Sequence, residues 1–175
     1  FSCGVCDFCR EGLQTSCRVA GLRSRLGSEG AQAELLRAPL ADGTLFAVDA
    51  GEEHYAGLLT LSDVYGTGFH AALTGGAGAG TTVAVIGDGA VGLLAVLSAR
   101  QLGADRIILM GRHEARTDLG REFGATDVVA ARGEEGIEAV RELTDGDGCH
   151  VVLEAVGHLP AYEQALGVVR DGGRI

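Results

Sequence analysis

Four cysteines stand within the first 17 residues, Cys3, Cys6, Cys9 and Cys17, in a C-x2-C-x2-C-x7-C array. Thiolates are soft ligands suited to a small transition-metal cation, and two-residue gaps bring successive sulfurs within reach of one ion. Joining such near neighbours as disulfides would strain the backbone, so metal binding is the better reading. The fifth cysteine, Cys149, opens an apolar run and reads as a small buried side chain.

A second pattern suited to chemistry is Gly87-Asp88-Gly89-Ala90-Val91-Gly92. It follows the apolar run Val83-Ala84-Val85-Ile86 and opens a stretch of helical spacing from Ala90 to Leu102. In that setting Gly87 permits a tight turn, Gly89 admits a pyrophosphate to the backbone, and Gly92 lets helix and strand pack closely. Free N–H groups at the helix start, aided by the helix dipole, would then hold the anion. The earlier glycine cluster, Gly75 to Gly80, precedes a strand instead and reads as a linker.

The second strand of such a site usually ends in an acid that accepts hydrogen bonds from the ribose of NAD. Here Ile107 to Met110 is followed by Gly111, Arg112 and His113, with Arg116 one turn on and Glu114 beyond the expected position. A small residue followed by donors suits a 2′-phosphate, so NADP is expected over NAD. On that reading Gly111→Asp should turn the preference toward NAD.

The elements that must position these residues alternate regularly. Helical spacing runs from about Leu59 to Leu73, Ala90 to Leu102, Thr117 to Phe123, Glu134 to Leu143 and Tyr162 to Val169. Between them lie apolar runs at Val83–Ile86, Ile107–Met110, Val128–Val129 and Val151–Leu153. Continuous apolar strands between amphipathic helices predict an α/β fold, a doubly wound parallel sheet covered on both faces. Residues 31 to 58 differ: Ala33–Ala38 and Leu45–Val48, parted by Pro39 and Asp42-Gly43, read as β-strands and turns.

Composition narrows the function classes. Of 175 residues, 46% are apolar and 22% charged, which describes a folded chain. The net charge of −10 repels phosphate backbones, and no basic cluster offers a local exception, so no nucleic-acid partner is expected. No run of apolar residues is long enough for a membrane span, and the N-terminus lacks the layout of a secretory signal.

Taken together, the cysteine lobe, the Asp63-Val64-Tyr65-Gly66-Thr67-Gly68-Phe69-His70 helix and the glycine loop resemble the zinc-dependent medium-chain alcohol dehydrogenases. The resemblance covers nearly the whole chain in the right order. It implies three regions: a structural zinc lobe over 1–30, the C-terminal part of a β-rich, GroES-like catalytic domain over 31–62, and a Rossmann-type dinucleotide-binding domain over 63–175. It makes Cys3, Cys6, Cys9 and Cys17 the ligands of a structural zinc, closed to substrate because four thiolates complete its tetrahedron. A nucleic-acid zinc ribbon is the competitor, disfavoured by the acidic charge.

The resemblance also places Asp63 as one ligand of a separate catalytic zinc and Thr67 against the nicotinamide end of the cofactor. Asp63, Thr67 and His70 share one helical face, although Asp63 at this position also reads as a helix N-cap beside Ser62. His70 is left without a role, as are His54, His150 and His158. The implied activity is hydride transfer between an alcohol or carbonyl and a nicotinamide dinucleotide, in a cytoplasmic homo-oligomer, dimer or tetramer. The alternatives are a zinc-independent quinone or enoyl reductase of the same superfamily, whose members usually lack the cysteine lobe, or a non-enzymatic nucleotide-binding module.

Set against that pattern, the chain opens at Phe1 without the expected further zinc ligands, and stops at Ile175 where a fifth strand should begin. The expectation is therefore an incomplete sheet of about four strands, in an inactive piece of a larger enzyme.

Overall fold

A computed structural model of the chain describes residues 2–19 and 33–175. They form two compact units, Phe1–Gly51 and Glu52–Ile175.

In the first unit the cysteine array wraps around a single helical turn, α1 (Asp7–Arg10), followed by a 3-10 turn at Gln14–Ser16. A four-residue helix has no stability of its own. Side chains brace it instead: the Arg18 guanidinium grips the Asp7 carboxylate through two hydrogen bonds and lies 4.7 Å from the centre of the Phe8 ring. Ser2 ties in a second turn at Ala41–Gly43, donating its hydroxyl to the Gly43 carbonyl at 2.7 Å.

The strands expected at Ala33–Ala38 and Leu45–Val48 do not form; both segments are irregular and unpaired. A strand needs a neighbour to accept its ladder hydrogen bonds, and no described segment of this unit supplies one. Leu35 and Phe46 are accordingly more than nine-tenths exposed.

The second unit opens with α2 (Tyr55–Thr60) and α3 (Val64–Gly75). The single helix expected from Leu59 to Leu73 is thus divided. The Ser62 hydroxyl donates back to the Leu59 carbonyl at 2.7 Å, and Asp63 leaves helical geometry at φ −157°, ψ −69°.

There follow β1 (Thr82–Ile86), α4 (Ala90–Gln101), β2 (Arg106–Met110), α5 (Glu114–Phe123) and β3 (Asp127–Val129). Next come α6 (Gly133–Leu143), β4 (Cys149–Glu154), α7 (Leu159–Val168) and β5 (Val169–Arg174). The five strands are parallel in the order β3-β2-β1-β4-β5. This is a Rossmann-type sheet, with its crevice beyond the carboxyl ends of β1 and β4, where successive connections leave in opposite directions.

One expectation is corrected here. The fifth strand is present, paired to β4 from Cys149↔Val169 to Val151↔Arg174 with an irregularity between. The short, glycine-bearing sequence of β5 hid it, because it lacks the continuous apolar run of the central strands.

Two apolar cores flank the sheet. Val83, Val85, Ile107 and Leu109 point toward α3 and α4, while Ala84, Ile108 and Val152 point the other way with Val140, Ala165 and Val168. Burying each such aliphatic side chain stabilises the fold by about 1.5–3 kcal/mol before the entropy of ordering is counted. α3 docks closely on α4 because Gly68 carries no side chain: a Cβ there would lie 2.7 Å from the Ala95 nitrogen. The Tyr65 hydroxyl completes this contact by donating to Gln101 Oε1 at 2.8 Å.

Candidate functional site

The four N-terminal sulfurs converge. Cys6 and Cys9 lie 3.5 Å apart, Cys3–Cys9 and Cys6–Cys17 4.0 Å, and all four sulfurs fall within 4.8 Å of one another. A tetrahedron with Zn–S bonds of about 2.3 Å has edges of about 3.8 Å, whereas a disulfide needs about 2.05 Å. The spacing fits zinc and not a disulfide. Backbone N–H groups of Cys3 and Cys6 donate to the sulfurs of Cys17 and Cys3, at 3.3 and 3.4 Å, and orient them. Burial, then its thiol neighbours, pushes the Cys9 thiol up to about 12, a cost a bound cation reverses.

In the second unit the glycine loop runs from the end of β1 into α4. Gly89 is the N-cap residue of α4, no side chain caps the helix, and a Cβ at Gly89 would meet nothing within 4 Å. That open space lies before the unsatisfied N–H groups of the first turn, among them those of Ala90, Val91 and Gly92. Gly92 is required for a different reason: a Cβ there would run into the carbonyl of Gly87.

Beside the loop opens a cavity of about 580 Å³, lined by Asp88, Arg112, His113, Arg132, Val156 and Gln164 among others. Asp88 is its most heavily bonded member. The Asp88 carboxylate accepts from the backbone N–H of Arg112 at 3.0 Å and of His113 at 2.8 Å. His113 Nδ1 lies 2.9 and 3.0 Å from its two oxygens, and Arg116 Nη1 3.9 Å from Oδ1. Burial by itself would raise the Asp88 carboxyl, but the hydrogen bonds from His113 and Arg112 outweigh it and hold it below the usual carboxylate range.

Gly111 lies directly against this side chain. A Cβ there would stand 2.6 Å from Asp88 Cβ, so the expected exchange of Gly111 for Asp has no room. The spacing of the glycine loop does not reveal this network, which joins residues more than twenty positions apart. An acid inside the loop paired with a glycine at the end of the second strand was the available signal.

Two further features went unread in the sequence. Glu154 Oε1 accepts from the N–H groups of Val156 and Gly157, at 2.6 and 2.9 Å, and shapes the turn from β4 to α7. Gln164 is 7% exposed and its Nε2 has no partner among the described residues.

Asp63 and Thr67 sit together at the start of α3, both exposed, with the Thr67 hydroxyl donating to Asp63 Oδ1 at 2.8 Å. Asp63 occupies the N-cap position, yet its side chain caps no backbone N–H. Among the described residues, no set of three or more ligating side chains gathers apart from the cysteines. Asp63 by itself does not make a catalytic zinc site, and no metal-centred step follows from these residues. His70 is exposed.

Residues 90–175 match the family described as Zinc-binding dehydrogenase. L-threonine 3-dehydrogenase of Bacillus licheniformis is 34% identical over 173 residues, covering 99% of this chain and 48% of the relative. The chain belongs to the zinc-dependent medium-chain dehydrogenase family. A solved member, zinc dependent alcohol dehydrogenase 2 from Streptococcus pneumonia, superposes with a TM-score of 0.83 at 32% identity, over 99% of this chain and 49% of that one. A third relative, the NADP-dependent isopropanol dehydrogenase of Entamoeba histolytica, is 38% identical over 115 residues, 66% of this chain and 31% of the relative. The chain thus spans about half the length, or less, of these family members. The paired presence of cysteine lobe and glycine loop is the feature by which the family was legible. No helix among the described residues is long and apolar enough to cross a membrane.

Proposed function

We propose that the protein carrying this chain is a zinc-dependent oxidoreductase that moves a hydride between an alcohol or carbonyl and a nicotinamide dinucleotide, with NADP preferred. The observation that carries this reading is the uncapped start of α4 with open space at Gly89, beside a cavity of about 580 Å³. The names of relatives, L-threonine 3-dehydrogenase and NADP-dependent isopropanol dehydrogenase among them, point to small alcohols as the substrate class.

In this reading the N–H groups of Ala90, Val91 and Gly92 hold the pyrophosphate, with Gly87 and Gly89 clearing its path. The turn of Gly111, Arg112 and His113 receives the adenosine ribose, and Arg112, His113 and Arg116 favour a 2′-phosphate there. Thr67, on α3, approaches the nicotinamide end; by the family resemblance, Asp63 beside it would contribute one ligand to a catalytic zinc that needs further ligands. When bound, the nicotinamide ring supplies the hydride donor or acceptor. The Cys3, Cys6, Cys9 and Cys17 site holds a structural zinc and fixes the lobe of residues 1–30, next to 31–62 of the catalytic domain and 63–175 of the dinucleotide domain. A cytoplasmic homo-oligomer is the assembly the family resemblance suggests.

The test is oxidation of a panel of primary and secondary alcohols by that protein, with NADP and NAD, before and after chelation. Metal-dependent turnover with NADP favoured is expected. Turnover unaffected by complete zinc removal, or none with any alcohol or carbonyl, would overturn the reading.

A further inference from the structure

The middle residue of a G-x-G turn is ordinarily free to vary, yet here it is an aspartate buried to nine-tenths in the cofactor crevice. An ionised carboxylate only accepts hydrogen bonds, so the His113 Nδ1 within 2.9 Å must carry the proton and donate it. Oδ2 also takes the N–H groups of Arg112 and His113. The side chains facing Asp88 are His113 and Arg116, both from α5 or its N-cap, and both half-exposed toward solvent.

We infer that Asp88 is a positioning residue for dinucleotide selection: it ties the turn after β2 to the glycine loop and, through Nδ1–H, holds the His113 ring so that in its doubly protonated form the Nε2–H is left to donate to a 2′-phosphate. This rests on the NADP preference proposed above. A bare carboxylate in this crevice would repel a phosphate, but two backbone N–H groups, an imidazole and a guanidinium offset its charge. The half-exposed imidazole would otherwise sample several rotamers; fixing it beforehand lowers the ordering cost of binding. Gly111 is part of the same device, since only a residue without a Cβ leaves space for Asp88.

Asp88→Asn separates this role from a merely structural one. The amide oxygen keeps an acceptor for the two backbone N–H groups and so preserves the turn, while the NH2 group faces the Nδ1 proton and releases the ring. Binding of adenosine 2′,5′-bisphosphate and of 5′-AMP to the chain isolates the 2′-phosphate. The unaltered chain should prefer the bisphosphate. Asp88→Asn and His113→Ala should each cut that preference about tenfold, as expected for one charge-assisted hydrogen bond, the loss falling on the bisphosphate more than on 5′-AMP and growing no further in the double variant.

Loss of charge repulsion by itself would strengthen the bisphosphate, so a rise in preference in Asp88→Asn overturns the proposal. An unchanged preference also overturns it, while leaving the NADP reading in place. No preference in the unaltered chain overturns that reading and the proposal with it. If Asp88→Asn fails to fold, the imidazole 15N resonances of His113 in the unaltered chain decide: they should move with the bisphosphate and stay put with 5′-AMP. Resonances that respond equally to both ligands count against the role.

Discussion

Gly111 and Asp88 are sterically exclusive partners: a Cβ on the first would lie 2.6 Å from the Cβ of the second and 2.9 Å from its Oδ2. The acid that such crevices usually carry at the end of the second strand has no room here, because the glycine loop supplies one of its own. A site often read from one residue therefore has to be read from two.

Gly111→Asp is accordingly predicted to damage the site rather than convert its cofactor preference. Overpacking of this kind costs about 1–3 kcal/mol, and the new carboxylate would add repulsion against Asp88. Thermal unfolding should show a lower Tm, and titration should show weaker binding of both NADPH and NADH. A clean shift to NADH at unchanged Tm would contradict the packing argument.

Cys9→Ser is predicted to cost the zinc. Metal analysis of reduced, purified chain should give close to one zinc per molecule. The variant should hold it more weakly by upward of about tenfold, since one thiolate is lost from a closed tetrahedron. Equal zinc content in both, after equilibration with a competing chelator, would refute the four-thiolate assignment.

Much of this was legible before the structure, for identifiable reasons. The alternation from Val83 onward marks buried strands and their covering helices, because parallel strands are apolar on both faces. Gly87 and Gly92 marked the tight turn from β1 into α4, because the surrounding atoms there leave no room for a Cβ. Two features were misread for want of long-range information. Ala33–Ala38 and Leu45–Val48 carry strand-like residues, but strand formation depends on partners that local propensity does not reveal. Val169–Arg174 pairs with β4 despite two glycines and three charged residues, because β4 offers an open edge. Asp88 and His113, 25 positions apart, meet only once β1 and β2 lie side by side.

Acid should weaken the second unit through two carboxyls. Asp127 is held below the usual range by the Arg106 guanidinium, and Asp88 by His113 and Arg112, which together outweigh its burial. A depressed carboxyl contributes stability that is fully present above its unfolded value, about 3.9, and is lost as pH falls through the folded one. As far as these groups are concerned, urea midpoints should therefore not vary with pH near neutrality and should decline below about pH 4. Asp127→Asn should lower the neutral midpoint and flatten the acid decline; the unaltered slope in that variant would exclude the Arg106–Asp127 pair as a source.

Gly92→Ala probes the phosphate loop. The added methyl would press on the Gly87 carbonyl, so loop and helix must part. Dinucleotide affinity should fall by more than about tenfold, together with a lower Tm. Retention of full affinity would show that the pyrophosphate does not sit at the start of α4.

Whether a nicotinamide dinucleotide occupies the crevice at the carboxyl ends of β1 and β4 is decided by calorimetric titration of the 175-residue chain with NADPH and NADH. Saturable binding at one site per chain is expected, with NADPH the tighter ligand. Absence of binding by either dinucleotide to folded, zinc-loaded chain would contradict it.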